Sequence, residues 1–194
     1  MHAGKPGLRV LGIAESFRGR HDERAISRLA GVVMRRDLRI DGFGADAVTV
    51  GGDDATEAVV RLVRSVGRPD VRLVMLSGAV IAWFNVIDAA ALADETGCRV
   101  VSVTYEPSPG LEDAIARHFP GDTKRLAAYR RLGERTEVAL STGATVWIRP
   151  FGLDLAAAAA LVDAFTLDGR VPEPVRVARL IARGLGCERR SGSR

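Results

Sequence analysis

The chain has 194 residues, 47% of them hydrophobic and 27% charged, with a formal charge of +4. That is an ordinary globular composition at a length that buries one real core, and no apolar run approaches the roughly 20 residues needed to span a bilayer. The opening MHAGKPG lacks the apolar core of a signal peptide, so a cytoplasmic protein with no membrane partner is expected.

Lys5 and Lys124 are the only lysines among 28 basic residues. Arginine suits phosphate and base contacts, but arginine bias also follows from the base composition of coding DNA. The charge permits a nucleic-acid partner without demanding one. Cys98 and Cys187 have no CxxC spacing and read as a core filler and a tail thiol. His2, His21 and His118 have no ligand spacing, so zinc is not expected.

Residues 9–15 read as a buried strand, because Val10, Leu11 and Ile13 form a short apolar run that ends in a carboxylate, Glu15. Residues 28–36 and 39–50 read as second and third strands about a tight turn at Asp37 and Leu38, which predicts an antiparallel meander. The period then changes. Ala55, Val59, Leu62, Val63 and Val66 recur at helical spacing until Gly67 and Pro69. A fourth strand at 71–76, an apolar stretch, a helix to Thr96 and a fifth strand at 99–105 predict a right-handed parallel crossover.

Residues 110–119 and 123–132 read as amphipathic helices, and 137–140 with 144–148 as a hairpin across Ser141-Thr142-Gly143. An alanine-rich helix is expected at 153–165. The last helix, at 171–184, has Pro172 and Pro174 at its start, where proline is tolerated. Residues 1–186 are expected to form one domain and 187–194 a disordered tail. This element order is that of an α/β, ribonuclease H-like mixed sheet with flanking helices.

A strand end that carries an acid is a favoured place for a functional carboxylate, so Glu15 is the leading site candidate. Asp54 stands where a helix N-cap belongs and reads equally as cap or as site, with Asp53 the cap in the second case. Asp88 reads as the N-cap of the following helix and Asp41 as a turn acid. Trp83, Phe84 and Asn85 could form a pocket for a flipped base, with core packing as the plainer alternative. Glu106 ends the fifth strand as a secondary acid. Arg125, Arg130, Arg131 and Arg135 could touch phosphates or form a solvated basic face. Residues 42–47 imitate a dinucleotide fingerprint, but a strand follows them in place of a helix.

Several stretches, in order along nearly the whole chain, carry a resemblance. They are GIAESF (12–17), LAGVVMRRDLRIDGF (29–43), TVGGDDAT (49–56), VMLSGAVIAWFNVID (74–88), VTYEPSPGLEDAI (103–115) and PEPVRVARLIA (172–182). Together they resemble the endonuclease dU family, related to endonuclease V. The resemblance implies a ribonuclease H-like domain and a metal-dependent nuclease that cuts DNA at deoxyuridine in repair. Many members have Asp-Asp-Gly where this chain has Ala14, Glu15 and Ser16, and Asp-Gly where it has Ser77 and Gly78. They also have Asp-Gly where it has Gly51 and Gly52, ahead of the shared Asp54.

Carried over, the resemblance makes Glu15 and Asp54 catalytic and places magnesium (manganese as a substitute) on Glu15, Asp54 and Asp53. Together with the residue reading above, Ser77, Gly78, Trp83, Phe84, Asn85 and Glu106 are expected against the DNA. Glu15 and Asp54 alone could hold one magnesium ion, but they hold the metal pair of two-metal phosphodiester cleavage poorly unless Asp53, Asp41 or Glu106 lends a carboxylate. The alternative is therefore a homologue that binds nucleic acid or a protein partner without cutting.

Overall fold

The computed structural model describes residues 7–17 and 25–187. His2, His21, the polar stretch 18–24 and the tail beyond Cys187 lie outside the described residues. Strands β1 (Arg9–Glu15), β2 (Ile26–Arg35) and β3 (Ile40–Thr49) form the expected meander, and helix α1 (Ala55–Val66) follows. Strand β4 (Leu73–Ser77) leads to a two-stranded ribbon, β5 (Val80–Ile81) and β6 (Asn85–Val86). Helix α2 (Ala89–Thr96) returns the chain to β7 (Arg99–Thr104). Helices α3 (Glu112–His118) and α4 (Thr123–Arg131) precede the hairpin β8 (Thr136–Ala139) and β9 (Thr145–Phe151). Helices α5 (Leu155–Ala164) and α6 (Glu173–Cys187) complete the fold, α6 running on to Cys187 where a tail was expected.

The main sheet has the order β3-β2-β1-β4-β7-β9-β8. β1 pairs antiparallel with β2 and parallel with β4, and β4 pairs parallel with β7. The mixed, ribonuclease H-like sheet is thus present, with β1 and β4 side by side at its middle.

Alternation along β1 sorts the two faces. Leu11 and Ile13 pack with Ala55, Ala58, Val59 and Leu62 of α1 and with Leu92 of α2. Val10 and Ala14 face the other way, with Leu161 and Val162 of α5 and Val175 and Ala178 of α6. Gly12 lies on this second face, and a Cβ there would stand 2.3 Å from the Pro174 carbonyl carbon. Only glycine lets α6 sit this close to β1. Asp88 caps α2 as expected, accepting from Ala90 N and Ala91 N, each at 3.1 Å. Cys98 is buried in the core. No described helix is long and apolar enough to cross a membrane.

Candidate active site at the strand ends

Glu15 closes β1 half-buried, with both oxygens engaged. Oε1 accepts the Ala82 N–H at 2.7 Å and Oε2 accepts the Ser27 hydroxyl at 2.6 Å. Burial pushes its carboxyl above the usual range, against the opposing pull of the Ala82, Ser27 and Phe17 donors. Desolvation prevails there, so the charged form is held at a cost.

Asp54 is surrounded by donors. Asn85 Nδ2 reaches Oδ1 at 2.7 Å, the Thr49 hydroxyl reaches Oδ2 at 2.9 Å, and Thr49 N lies 3.2 Å from both oxygens. Asp54 stands at the N-cap position of α1 but makes no side-chain cap bond. The cap comes from across the fold, where the fully buried Asn85 accepts the Ala55 N–H at 3.0 Å through Oδ1. Asn85 also donates to the Thr49 carbonyl at 3.0 Å. Asp53 is exposed and pairs with Lys124 at 3.2 Å. Asp41 lies within β3 and binds Arg9 and Arg68, which hold its carboxyl below the usual range.

Glu15 and Asn85 meet at the β5–β6 ribbon. Its three linking residues, Ala82, Trp83 and Phe84, have φ values of 41°, 62° and 60°. A left-handed turn costs non-glycine residues roughly 1–2 kcal/mol each, so it persists only where its surroundings over-determine it. Besides the Glu15 contact, the Ala82 carbonyl accepts Gly51 N–H at 2.7 Å. Arg125 Nη1 donates to the carbonyls of Phe84 and Gly52 at 2.6 and 2.8 Å, and Nη2 to that of Gly51 at 3.0 Å. The turn presents two half-exposed rings. Trp83 lies 4.9 Å from His118, and Phe84 stacks on His118 at 5.6 Å with 27° between the planes.

Ser77 belongs to the other face. The parallel register sets Ile13 opposite Leu76, so one step further Ala14 runs beside Ser77, both towards α6. There Arg179 Nη2 donates to Ser77 Oγ at 2.8 Å. Ser77 and Gly78 also line a small space of about 10 Å³ that Glu15 closes from the first face. Glu106 is exposed and pairs with Arg170 at 2.9 Å.

A divalent ion is the cofactor the resemblance implies. Among the described residues, no group of three or more His, Cys, Asp or Glu side chains is placed to hold one. The neighbouring strand-end positions 14 and 77 are neutral, and a guanidinium covers Ser77. The donor set fits at most one hard cation at Glu15, completed by water and substrate oxygens. It does not fit a metal pair.

Arg125, expected at phosphates or on a solvated face, instead has its side chain largely buried and clamps the aromatic turn, and sequence reasoning missed Arg179, which binds Ser77. Each lies in a segment with several arginines, and nothing in the spacing singles it out. Arg130 and Arg131 pair with Glu112 and Asp88. Arg135 donates to the Thr104 hydroxyl and to the Glu106 and Ser108 carbonyls.

The fold has close solved counterparts. A protein of unknown function from Archaeoglobus fulgidus matches with a TM-score of 0.78 and 28% identity, over 92% of this chain and 98% of that one. Endonuclease V of Streptomyces avermitilis matches at TM-score 0.64 and 21% identity, over 94% and 83%. Endonuclease V of Ciona intestinalis, solved with a DNA containing an inosine followed by a ribo-adenosine, matches at 0.62 and 15%, over 93% and 87%. In sequence, the UPF0215 protein of Pyrobaculum calidifontis is 40% identical over 176 residues, 90% of this chain and 95% of that protein. That of Thermococcus kodakarensis is 35% identical over 184 residues, 92% of each. With residues 6–186 matching the family described as Endonuclease dU, the chain belongs to that nuclease family.

Proposed function

We propose that the protein is a magnesium-dependent endonuclease that cuts DNA at or near deoxyuridine in repair, with Glu15 as the carboxylate of the reaction. Family membership across residues 6–186 carries the activity class. The observation that carries the site is the pairing of a half-buried, desolvated Glu15 with a strained aromatic turn held through the Ala82 N–H. Strain of this kind concentrates where function needs a fixed shape.

In this reading Glu15 would hold one magnesium ion, manganese serving as a substitute. Such an ion supplies polarisation of a phosphoryl oxygen and a more acidic bound water. The Ala82 N–H and Ser27 O–H fix the direction of the Glu15 carboxylate. Trp83 and Phe84 stack an unpaired base, which needs an aromatic face at modest desolvation cost. Asp54 serves the architecture, tying Asn85 and the turn to α1. Asp53 lies outside the reaction.

Neutral side chains at positions 14 and 77 favour a second reading, a family member that binds damaged DNA without cutting it. Cleavage of a labelled oligonucleotide carrying one deoxyuridine, beside an undamaged control, separates the two. Magnesium-dependent cutting confined to the deoxyuridine strand supports the endonuclease. Binding without cutting under either magnesium or manganese supports the second reading.

A further inference from the structure

Beyond the end of β7, on the face where Ala14 and Ser77 lie, is a cavity of about 360 Å³ lined by Ser77, Tyr105, Glu106, Arg135, Arg149 and Arg179 among others. This volume falls within the range of small-molecule sites. Its arginines come from three separate places: α6, β9 and the link before β8. None of the three forms an ion pair with a carboxylate among the described residues, whereas Glu106 turns outward to Arg170 and is 78% exposed. Arg149 is only 7% exposed, and burial pulls its guanidinium below the ordinary value. A buried cation without a counter-ion is costly, and an anionic ligand removes that cost.

The second observation is independent of charge. The Tyr105 hydroxyl is buried in the cavity wall against Ser77 and Arg179, and among the described residues it makes no hydrogen bond of good geometry. Desolvation still pushes it up to about 12, so it remains a donor at neutral pH. Arg179 lies over the same ring, 5.2 Å from its centroid, and holds Ser77 Oγ at 2.8 Å. Guanidinium and hydroxyl donors therefore converge from several directions, the arrangement a tetrahedral oxyanion needs.

We propose that this cavity binds a phosphoryl group of a nucleic-acid strand, with Arg179 as its fixed charge and the Tyr105 and Ser77 hydroxyls as donors. Ser77 and Gly78 line both this cavity and the small space closed by Glu15. The bound phosphate would therefore sit beside the candidate reaction site. The proposal rests on the nucleic-acid reading only for the carrier of the phosphate, not for the anion itself.

The test is calorimetric titration of the full chain with inorganic phosphate against chloride at equal ionic strength. Phosphate is expected to bind, with affinity falling about tenfold or more in Arg179→Ala and about fivefold in Tyr105→Phe. Arg179→Lys should recover part of the loss. Glu15→Gln removes a neighbouring negative charge and should not weaken phosphate binding even where it abolishes cleavage, so failure of the nuclease reading is seen separately. Tyr105→Phe removes a single oxygen and decides the matter should Arg179→Ala not fold. Oligonucleotides with and without a 5′-phosphate identify the source. Preference for the phosphorylated strand indicates a terminal monoester, and equal binding weakened by both variants indicates an internal diester. Absence of phosphate binding, or binding that neither variant weakens, overturns the proposal.

Discussion

Two carboxylates grip the β5–β6 ribbon from its two ends. Glu15 takes the Ala82 N–H on one side, and Asp54 takes the Asn85 amide on the other. Asp54 has donors on both oxygens from Thr49 and Asn85, and through Asn85 it is joined to the first turn of α1. Glu15 has fewer donors, and burial outweighs them. A carboxylate saturated with donors is committed to architecture. One held charged at a cost keeps capacity for a cation or a proton.

Removing the link between the two should have the largest effect on stability. Asn85→Ala strips partners from Ala55 N–H, the Thr49 carbonyl and Asp54 together, and should cost about 3 kcal/mol in urea denaturation. Asp54→Asn keeps the shape but turns an amide group towards donors. It should cost about 2 kcal/mol by the same measurement, with DNA affinity of the folded protein nearly unchanged. If Asp54→Asn left stability intact and removed cleavage, the comparison would be reversed and Asp54 would carry the chemistry.

Trp83→Ala tests the other product of the ribbon, the half-exposed ring. Loss of one base-stacking face is expected to weaken single-stranded DNA binding by about tenfold, read by fluorescence anisotropy. An unchanged affinity would make the aromatic cluster plain packing.

The smallest effect is a matter of pH. Burial raises the Glu15 pKa, so the folded chain holds that proton more tightly than the unfolded chain. Stability attributable to Glu15 is therefore present below the ordinary carboxylate value and is lost as pH rises through the raised one. With a chelator present, Glu15→Gln should match the parent at acidic pH and exceed it above that window. Parallel stability curves across pH would place the cost elsewhere.

Much of this fold was legible because alternation and helical spacing are strong local signals. The meander, the crossover, the Asp88 cap and the place of Glu15 at a strand end follow from residue patterns and recur in the structure with shifts of a few residues. The β5–β6 ribbon did not. Left-handed backbone at Ala82, Trp83 and Phe84 contradicts every local preference of those residues and is imposed from afar by Glu15, Gly51 and Arg125. Asp54 carried an ambiguous signal, because cap and ligand demand the same residue type, and the donors around it come from β3 and the ribbon. Arg179 and Ser77 meet across 102 residues, a separation at which no spacing rule operates. The expected magnesium set of Glu15, Asp54 and Asp53 gathers acids near in sequence, whereas in space Asp53 turns out to Lys124.

The most direct test is single-turnover cleavage of a deoxyuridine oligonucleotide with magnesium, comparing the parent chain, Glu15→Gln and Asp54→Asn, each confirmed as folded. The account predicts cutting by the parent and by Asp54→Asn at comparable rates, with Glu15→Gln slower by about a hundredfold or more. Equal cutting by Glu15→Gln and the parent would contradict it.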